Sequence, residues 1–153
     1  MPAAARLFFA VALSLFTLAI SVPAFAGENA VAGGRFAIWT PDQWTAKVSG
    51  DRLEANNPQE TIFIVATRLA GAAATAAARA RAFIDSELDE ADFEGDGLNG
   101  SAQDGDEELE FTGTTVVDGG DVLVLLVYAY DEMLKQPGPR QALERIRASL
   151  KAR

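Results

Sequence analysis

The chain has 153 residues, with 22 acidic and 13 basic side chains, no histidine and no cysteine. Its formal net charge of −9 argues against nucleic acid and anionic lipid as partners, because binding to polyphosphate depends on a basic surface. Most hydrolytic mechanisms use a histidine or a thiol, and no Gly-x-Ser-x-Gly elbow is present. We therefore expect a protein that is not an enzyme and that is folded without disulfides.

Residues 1–26 have the pattern of a cleavable export signal. Arg6 supplies the charged start, residues 7–22 are almost entirely apolar, and Ala24 and Ala26 form the small-x-small motif before a cleavage site at Gly27. The apolar run is shorter than the roughly 20 residues of a membrane-spanning helix. The absence of cysteine also excludes lipid attachment of the bacterial lipoprotein kind. The sequence predicts a periplasmic or secreted protein with no membrane attachment after cleavage.

After the signal, residues 27–34 are expected to form a loose N-terminal arm and residues 35–153 a single domain. Residues 35–39 alternate as a strand, and residues 45–48 and 52–55 flank a glycine turn as a hairpin. Residues 61–69 are apolar on both alternating faces, which is typical of a strand inside a covered sheet.

Residues 71–94 change to helical spacing. A stripe at three- and four-residue steps predicts the buried face of one helix; its members are Ala77, Ala80, Ile84, Leu88 and Ala91. Glycines at positions 95, 97 and 100 end this helix and lead into a polar stretch.

Residues 108–117 and 122–130 form two further predicted strands, and Asp118-Gly119-Gly120-Asp121 joins them as a hairpin turn. Proline and glycine at positions 137–139 open a last helix, whose buried stripe consists of Leu143, Ile146 and Leu150. The element order predicts an α+β fold: a largely antiparallel sheet with helices packed on its faces, as in an α/β/α sandwich.

The segment from Phe36 to Trp44, with its strand, proline turn and tryptophan, resembles the opening of the PsbP-like family. That family is named after an extrinsic subunit of photosystem II. The order of the remaining elements extends the resemblance over nearly all of the mature chain. The resemblance implies a PsbP-like fold and a docking or assembly role rather than catalysis. Some exported bacterial relatives are lipoproteins, and this chain differs from them in lacking the cysteine.

No basic residue occurs between Arg81 and Lys135, a segment rich in aspartate and glutamate. Within it, Asp92, Glu94, Asp96 and Gln103 partly match positions one, three, five and twelve of a calcium loop. The twelfth position of such loops is normally a bidentate glutamate. A solvated acidic loop is therefore the favoured interpretation, weak calcium binding is the alternative, and no other cofactor is predicted.

Two groups of side chains are candidates for recognition. Paired carboxylates such as Glu108 and Glu110 have a spacing that glycoside hydrolysis can use, but an exposed strand of any acidic protein has the same spacing. Large aromatic rings can form a recognition platform, but core or its margin is the favoured interpretation of this set; its members are Trp39, Trp44, Tyr128 and Tyr130. The predicted partner-binding residues are Trp39, Trp44, Glu107, Glu108 and Glu110.

These observations predict an exported, non-enzymatic binding or assembly protein of the cell envelope. Its acidic surface is expected to dock an envelope protein or to bind divalent ions weakly, and no oligomeric state is predicted. The alternative is a periplasmic carrier that holds a small apolar ligand between the sheet and the alanine-rich helix. A filled core with a flat acidic face favours docking, whereas a cavity with a mixed lining favours the carrier.

Overall fold

A computed structural model of the chain describes residues 27–31, 36–70, 76–130 and 132–152. The export signal predicted for residues 1–26 lies outside the described residues. The described residues form ten strands and two α-helices, and all of their strand pairs are antiparallel. This architecture confirms the predicted α+β fold class. Neither described helix combines the length and the apolar character that crossing a membrane requires.

A three-stranded sheet contains the start and the end of the described chain. It consists of β1 (Gly27–Val31), β2 (Phe36–Thr40) and β10 (Lys151–Ala152), with β2 in the centre. β1 pairs with β2 along its full length, from Gly27 opposite Thr40 to Val31 opposite Phe36. The prediction of a loose arm is therefore wrong for residues 27–31, because this segment supplies the backbone hydrogen bonds that the free edge of β2 needs.

A seven-stranded sheet forms the body of the fold. In chain order its strands are β3 (Thr45–Ser49), β4 (Arg52–Asn56), β5 (Ile62–Ala70), β6 (Asp89–Phe93), β7 (Asn99–Asp104), β8 (Glu107–Asp118) and β9 (Asp121–Tyr130). Their spatial order is β3-β4-β5-β9-β8-β7-β6. The helix α1 (Ala76–Glu87) leads from the central strand β5 to the edge strand β6. The β6–β9 meander then returns to pair β9 with β5.

One face of this sheet packs against β2 and the helix α2 (Pro137–Ser149). The predicted stripe of Leu143, Ile146 and Leu150 is buried here, as expected. Alternate residues of the central strands face the same core, which includes Phe36, Ile38, Trp44, Leu53, Ile62, Ile64, Leu123, Leu125 and Val127. The strong apolar content of β5 and β9 is thus explained, because both strands are covered on this face and, in part, on the other.

The opposite face of the sheet packs against α1. Ala80 and Ile84 are fully buried there. Ile84 packs with Val65, Phe111 and Leu126, and Ala80 packs with Val122 and Val124. The helix predicted for residues 71–94 is too long, because α1 ends at Glu87 and the chain continues as β6. Ala77 is exposed, and Leu88 and Ala91 follow the helix, so the predicted helical stripe is correct only for Ala80 and Ile84.

Candidate binding face

Three aromatic side chains lie together on the α1-side face of the sheet. Phe63 on β5 is the cross-strand partner of Tyr128 on β9, and their rings stack with centroids 5.2 Å apart and an interplanar angle of 14°. Phe63 also makes an edge contact with Tyr130, at 5.9 Å and 81°. All three side chains are partly buried and partly open to solvent. We call Phe63, Tyr128 and Tyr130 the aromatic strip.

The aromatic strip continues into the core through a cross-strand ladder. Tyr128 is opposite Phe111, Phe111 is opposite Gly100, and Gly100 is opposite Phe93. The Phe93 and Phe111 rings meet edge to face at 5.2 Å and 78°. Because Gly100 carries no side chain, the Phe111 ring has the space it needs above that position. Phe111 is only 2% exposed, so the strip is anchored on a buried ring.

The hydroxyl of Tyr130 donates a hydrogen bond to Oδ2 of Asp104. This hydrogen bond, together with burial and the charge of Asp104, raises the pKa of Tyr130 to about 12. Burial also raises the pKa of Tyr128, and the charges of Glu54 and Glu87 act in the same direction. Both phenols are therefore neutral hydrogen-bonding groups at physiological pH rather than bases.

Asp104→Asn is expected to lower the pKa of Tyr130 toward the ordinary tyrosine value, because it removes the charged acceptor. Tyr128 and Tyr130 are the only two tyrosines of the chain, so alkaline titration of tyrosinate absorbance resolves them directly. The stabilisation from the raised pKa of Tyr130 is present below pH 10 and is lost as pH rises through about 12. An unchanged titration curve in the variant, with circular dichroism confirming the fold, would contradict this hydrogen bond.

Carboxylates surround a groove of about 410 Å³ near the start of β8 and the end of β9. Tyr130 forms one wall, and the other lining residues are Glu107, Glu108, Glu110 and Glu132. We call this feature the acidic groove. The ammonium group of Lys135 lies 2.8 Å from Glu110 and 3.2 Å from Glu132, and these hydrogen bonds raise the pKa of Lys135. The groove therefore already accommodates one cationic side chain at its rim.

An ion-paired arginine stands on the other side of the strip. The Arg52 guanidinium donates to both carboxylate oxygens of Glu87, at 2.6 and 2.7 Å, and its Nε donates to Glu54 at 2.7 Å. The bond to Glu87 is the main cause of the raised pKa of Arg52. This bidentate pair ties β4 to the last turn of α1. A small concavity of about 190 Å³ lies between Arg52, Asn56, Phe63 and Tyr128.

The structure separates the two predicted tryptophans from the predicted acidic residues. Trp44 is 8% exposed and belongs to the α2-side core, and Trp39 lies on β2 with the Arg145 guanidinium 3.9 Å from its ring centroid. Glu107, Glu108 and Glu110 line the acidic groove instead, with Tyr130. Phe63 was not among the residues predicted from the sequence, because only the β5–β9 register brings it next to Tyr128.

The residues of the partial calcium motif lie along one hairpin. Asp92 is near the end of β6, Glu94 and Asp96 are in the turn, and Gln103 pairs with Asp89 at the far end of β7. Arg81 donates to the carbonyl oxygens of Gly95 and Gly97, at 3.0 and 2.9 Å. Within the described ranges, no group of three or more acidic side chains has an arrangement that could hold a metal ion. Calcium binding by this segment stays a prediction.

At Gly113, α1 and the sheet pack closely against each other. A Cβ atom at this position would lie 2.8 Å from Cδ1 of Ile84 and 2.8 Å from Cβ of Leu98, so the helix sits directly on the strand backbone. An apolar ligand carrier would need a groove between α1 and the sheet. This contact leaves none at its centre.

The chain thus forms an antiparallel α+β domain in which one face of the sheet is only partly covered. No protein-family model matches the chain, and no curated protein matches it. A structure from Bacteroides thetaiotaomicron VPI-5482 is similar in fold, with a TM-score of 0.53 and 18% identity over 84% of this chain and 49% of that chain. LpqN of Mycobacterium tuberculosis, described as involved in cell envelope biogenesis, has a TM-score of 0.47 and 18% identity over 82% of this chain and 90% of its own. The chain thus spans about half the length of the Bacteroides structure, and identity at this level shows the fold alone.

Proposed function

We propose that this chain is an exported, non-enzymatic binding protein of the cell envelope that docks a protein partner through the aromatic strip and the acidic groove. The position of Tyr130 carries this proposal. Its ring contacts Phe63, its hydroxyl is fixed by Asp104, and it forms a wall of the acidic groove. Rigid aromatic rings beside polar groups are typical of the residues that dominate binding energy at protein interfaces.

The chemistry of this face supports binding rather than catalysis. The two phenols have raised pKa values and stay protonated at neutral pH, so neither is a general base there. The carboxylates of the acidic groove face an open surface and are partly neutralised by Lys135. Such a surface offers contact area, hydrogen bonds and negative charge. The cell-envelope location rests on the export signal predicted for residues 1–26, and the docking role agrees with what the PsbP-like resemblance implies.

The test compares the wild-type chain with a strip variant and a matched surface variant. The full chain, tagged at its C-terminus and expressed in its own host, is recovered from the envelope fraction after crosslinking. The strip variant combines Phe63→Ala with Tyr130→Ala, and the control is Val117→Ala, which truncates an apolar side chain that is 48% exposed. We expect the wild type and the control to recover one partner in similar amounts. The strip variant should recover about tenfold less of it.

Direct titration of the purified pair then decides the proposal. Affinity should fall with added salt, since the acidic groove contributes charge to the interface. Equal affinity of the strip variant and the control for that partner would refute this binding face. A chain that stays in the cytoplasm with residues 1–26 attached would refute the cell-envelope location.

A further inference from the structure

Arginines of this chain already cover two other partly exposed aromatic rings. The Arg81 guanidinium lies 4.1 Å from the ring centroid of Phe93, and the Arg145 guanidinium lies 3.9 Å from that of Trp39. Such contacts combine ring stacking with attraction of the cation to the π-system. Among the described residues, no cation takes the corresponding place over a ring of the aromatic strip. The strip is thus an aromatic surface onto which a group of another molecule can stack.

The charges around the strip fix the chemistry of that group. Asp104 lies against Tyr130, and Glu107 is the cross-strand partner of Asp104. The nearby guanidinium of Arg52 is already bound by Glu87 and Glu54. No basic residue occurs between positions 82 and 134, so the strands β6 to β9 carry none beside these carboxylates. An incoming group should therefore be cationic.

A guanidinium fits this surface better than an ammonium does. It is planar, so it can stack on a phenyl or phenol ring, and its fork of N–H groups matches a carboxylate. An ammonium is more strongly hydrated and lacks the planar face. Both of the contacts found among the described residues use arginine.

We infer that the aromatic strip receives arginine side chains of a partner protein, with the guanidinium stacked on the strip and hydrogen-bonded to Asp104 or Glu107. This inference rests on the proposed function and specifies the partner's chemistry. It requires a segment that presents arginine on an exposed surface.

Three labelled peptides test the inference by fluorescence anisotropy with the full chain. The first alternates glycine with arginine, the second has lysine at each arginine position, and the third has glutamate there. We expect the arginine peptide to bind at least about fivefold more tightly than the lysine peptide, and the glutamate peptide not to bind. Equal affinity for the arginine and lysine peptides would overturn the assignment, because the surface would then respond to charge alone.

Matched variants locate the site. Phe63→Leu and Tyr130→Leu keep an apolar side chain but remove a ring. Each should lower the affinity for the arginine peptide about tenfold. Asp104→Asn should weaken it as well. Asp96→Asn makes the same charge change in the β6–β7 turn, at the opposite end of the hairpin, and should leave affinity unchanged. Equal losses for Asp96→Asn and Asp104→Asn would indicate long-range attraction only and would refute the site.

Nuclear magnetic resonance of the unmodified protein gives a readout that does not depend on the variants folding. The arginine Hδ protons of the peptide should shift upfield from ring currents, and amide shifts should concentrate on β5 and β9. Binding with shifts elsewhere would overturn the inference. If no peptide binds but capture of the partner still requires Phe63 and Tyr130, the arginine assignment fails and the proposed function stands. If that requirement is also absent, both fail.

Discussion

Replacing Gly100 with alanine is expected to destabilise the fold by about 3 kcal/mol. A Cβ atom at this position would overlap the carbonyl oxygen of Asp92 and lie 2.8 Å from Cζ of Phe111. The Phe111 ring can rotate only at the cost of its contact with Phe93, and the Asp92 carbonyl belongs to the backbone of β6. The overlap can therefore be removed only if β6 moves away from β7. The free energy of unfolding, from urea denaturation, measures the effect.

Gly97→Ala is the matched control, because it makes the same substitution in the same hairpin. The nearest atoms to a Cβ there are the Glu94 carbonyl oxygen at 3.5 Å and the Asn99 nitrogen at 3.9 Å, which are ordinary contacts. Gly97 also does not occupy the left-handed region. Its stability should change by less than about 1 kcal/mol, and the smaller freedom of the unfolded chain favours a slight gain. Similar losses for the two variants would contradict the close approach of β6 at Gly100.

The parts of the fold that could be predicted are those with strong local signals. β8 alternates, β9 is apolar on both faces, and the Asp118-Gly119-Gly120-Asp121 turn joins them, with Asp118 opposite Asp121. α2 begins at Pro137, as the sequence indicates, and buries the expected stripe. In each case, the hydrophobic period and the turn residues point to the same structure.

β6 and β7 were not predicted, because their stability comes from pairing rather than from composition. The sequence of β6 is Asp-Glu-Ala-Asp-Phe, and three of its five side chains are exposed. Leu88 and Ala91 happen to extend the helical spacing of Ala80 and Ile84, which hides the change from helix to strand. Glu90 adopts a left-handed conformation, with φ of 51°, within the irregular pairing between Asp89 and Asp92. Single-residue irregularities of this kind have little sequence signature.

The candidate site was predictable in its parts but not as an assembly. The alternation of β9 already places Tyr128 and Tyr130 on one face, and the acidic residues of β8 are evident from composition. Phe63 joins them only through the pairing of β5 with β9, which depends on how α1 crosses the sheet. For the tryptophans, the sequence alone could not decide between core and recognition platform. A large ring fits a core as well as a surface, and Trp44 follows the Pro41 turn into the core.

The arrangement also explains why the strip can stay open without weakening the fold. The central strands β5 and β9 have most of their apolar area buried against β2 and α2 on one face, and α1 covers part of the other. Stability therefore does not require the strip to be covered. Its rings contact one another, because Phe63 stacks on Tyr128 and meets Tyr130 edge to face, and this mutual support reduces the entropy lost on binding.

Phe111→Ala is expected to cost about 3 to 5 kcal/mol of stability, because it removes a fully buried aromatic ring and leaves a cavity. Phe111 is 2% exposed and packs in the core that contains Ile84, Leu109 and Leu126. It also connects the strip to Phe93 through the ladder across Gly100. The free energy of unfolding, from urea denaturation with circular dichroism, measures the loss. Phe111→Leu keeps much of the volume and should lose less, so it provides a folded variant for comparison.

Phe93→Ala is the control for this prediction, since Phe93 is partly exposed on the edge strand β6. Phe93→Ala should lower the free energy of unfolding clearly less than Phe111→Ala does. A double-mutant cycle of Phe93→Leu with Phe111→Leu should give a coupling energy of about 0.5 to 1.5 kcal/mol from their edge-to-face contact. Equal losses for the two alanine variants, or additive leucine variants, would contradict the buried position of Phe111 and its contact with Phe93. Peptide binding to Phe111→Leu then separates the two roles of the ring: if the strip depends on this anchor, affinity falls although no contact residue has changed.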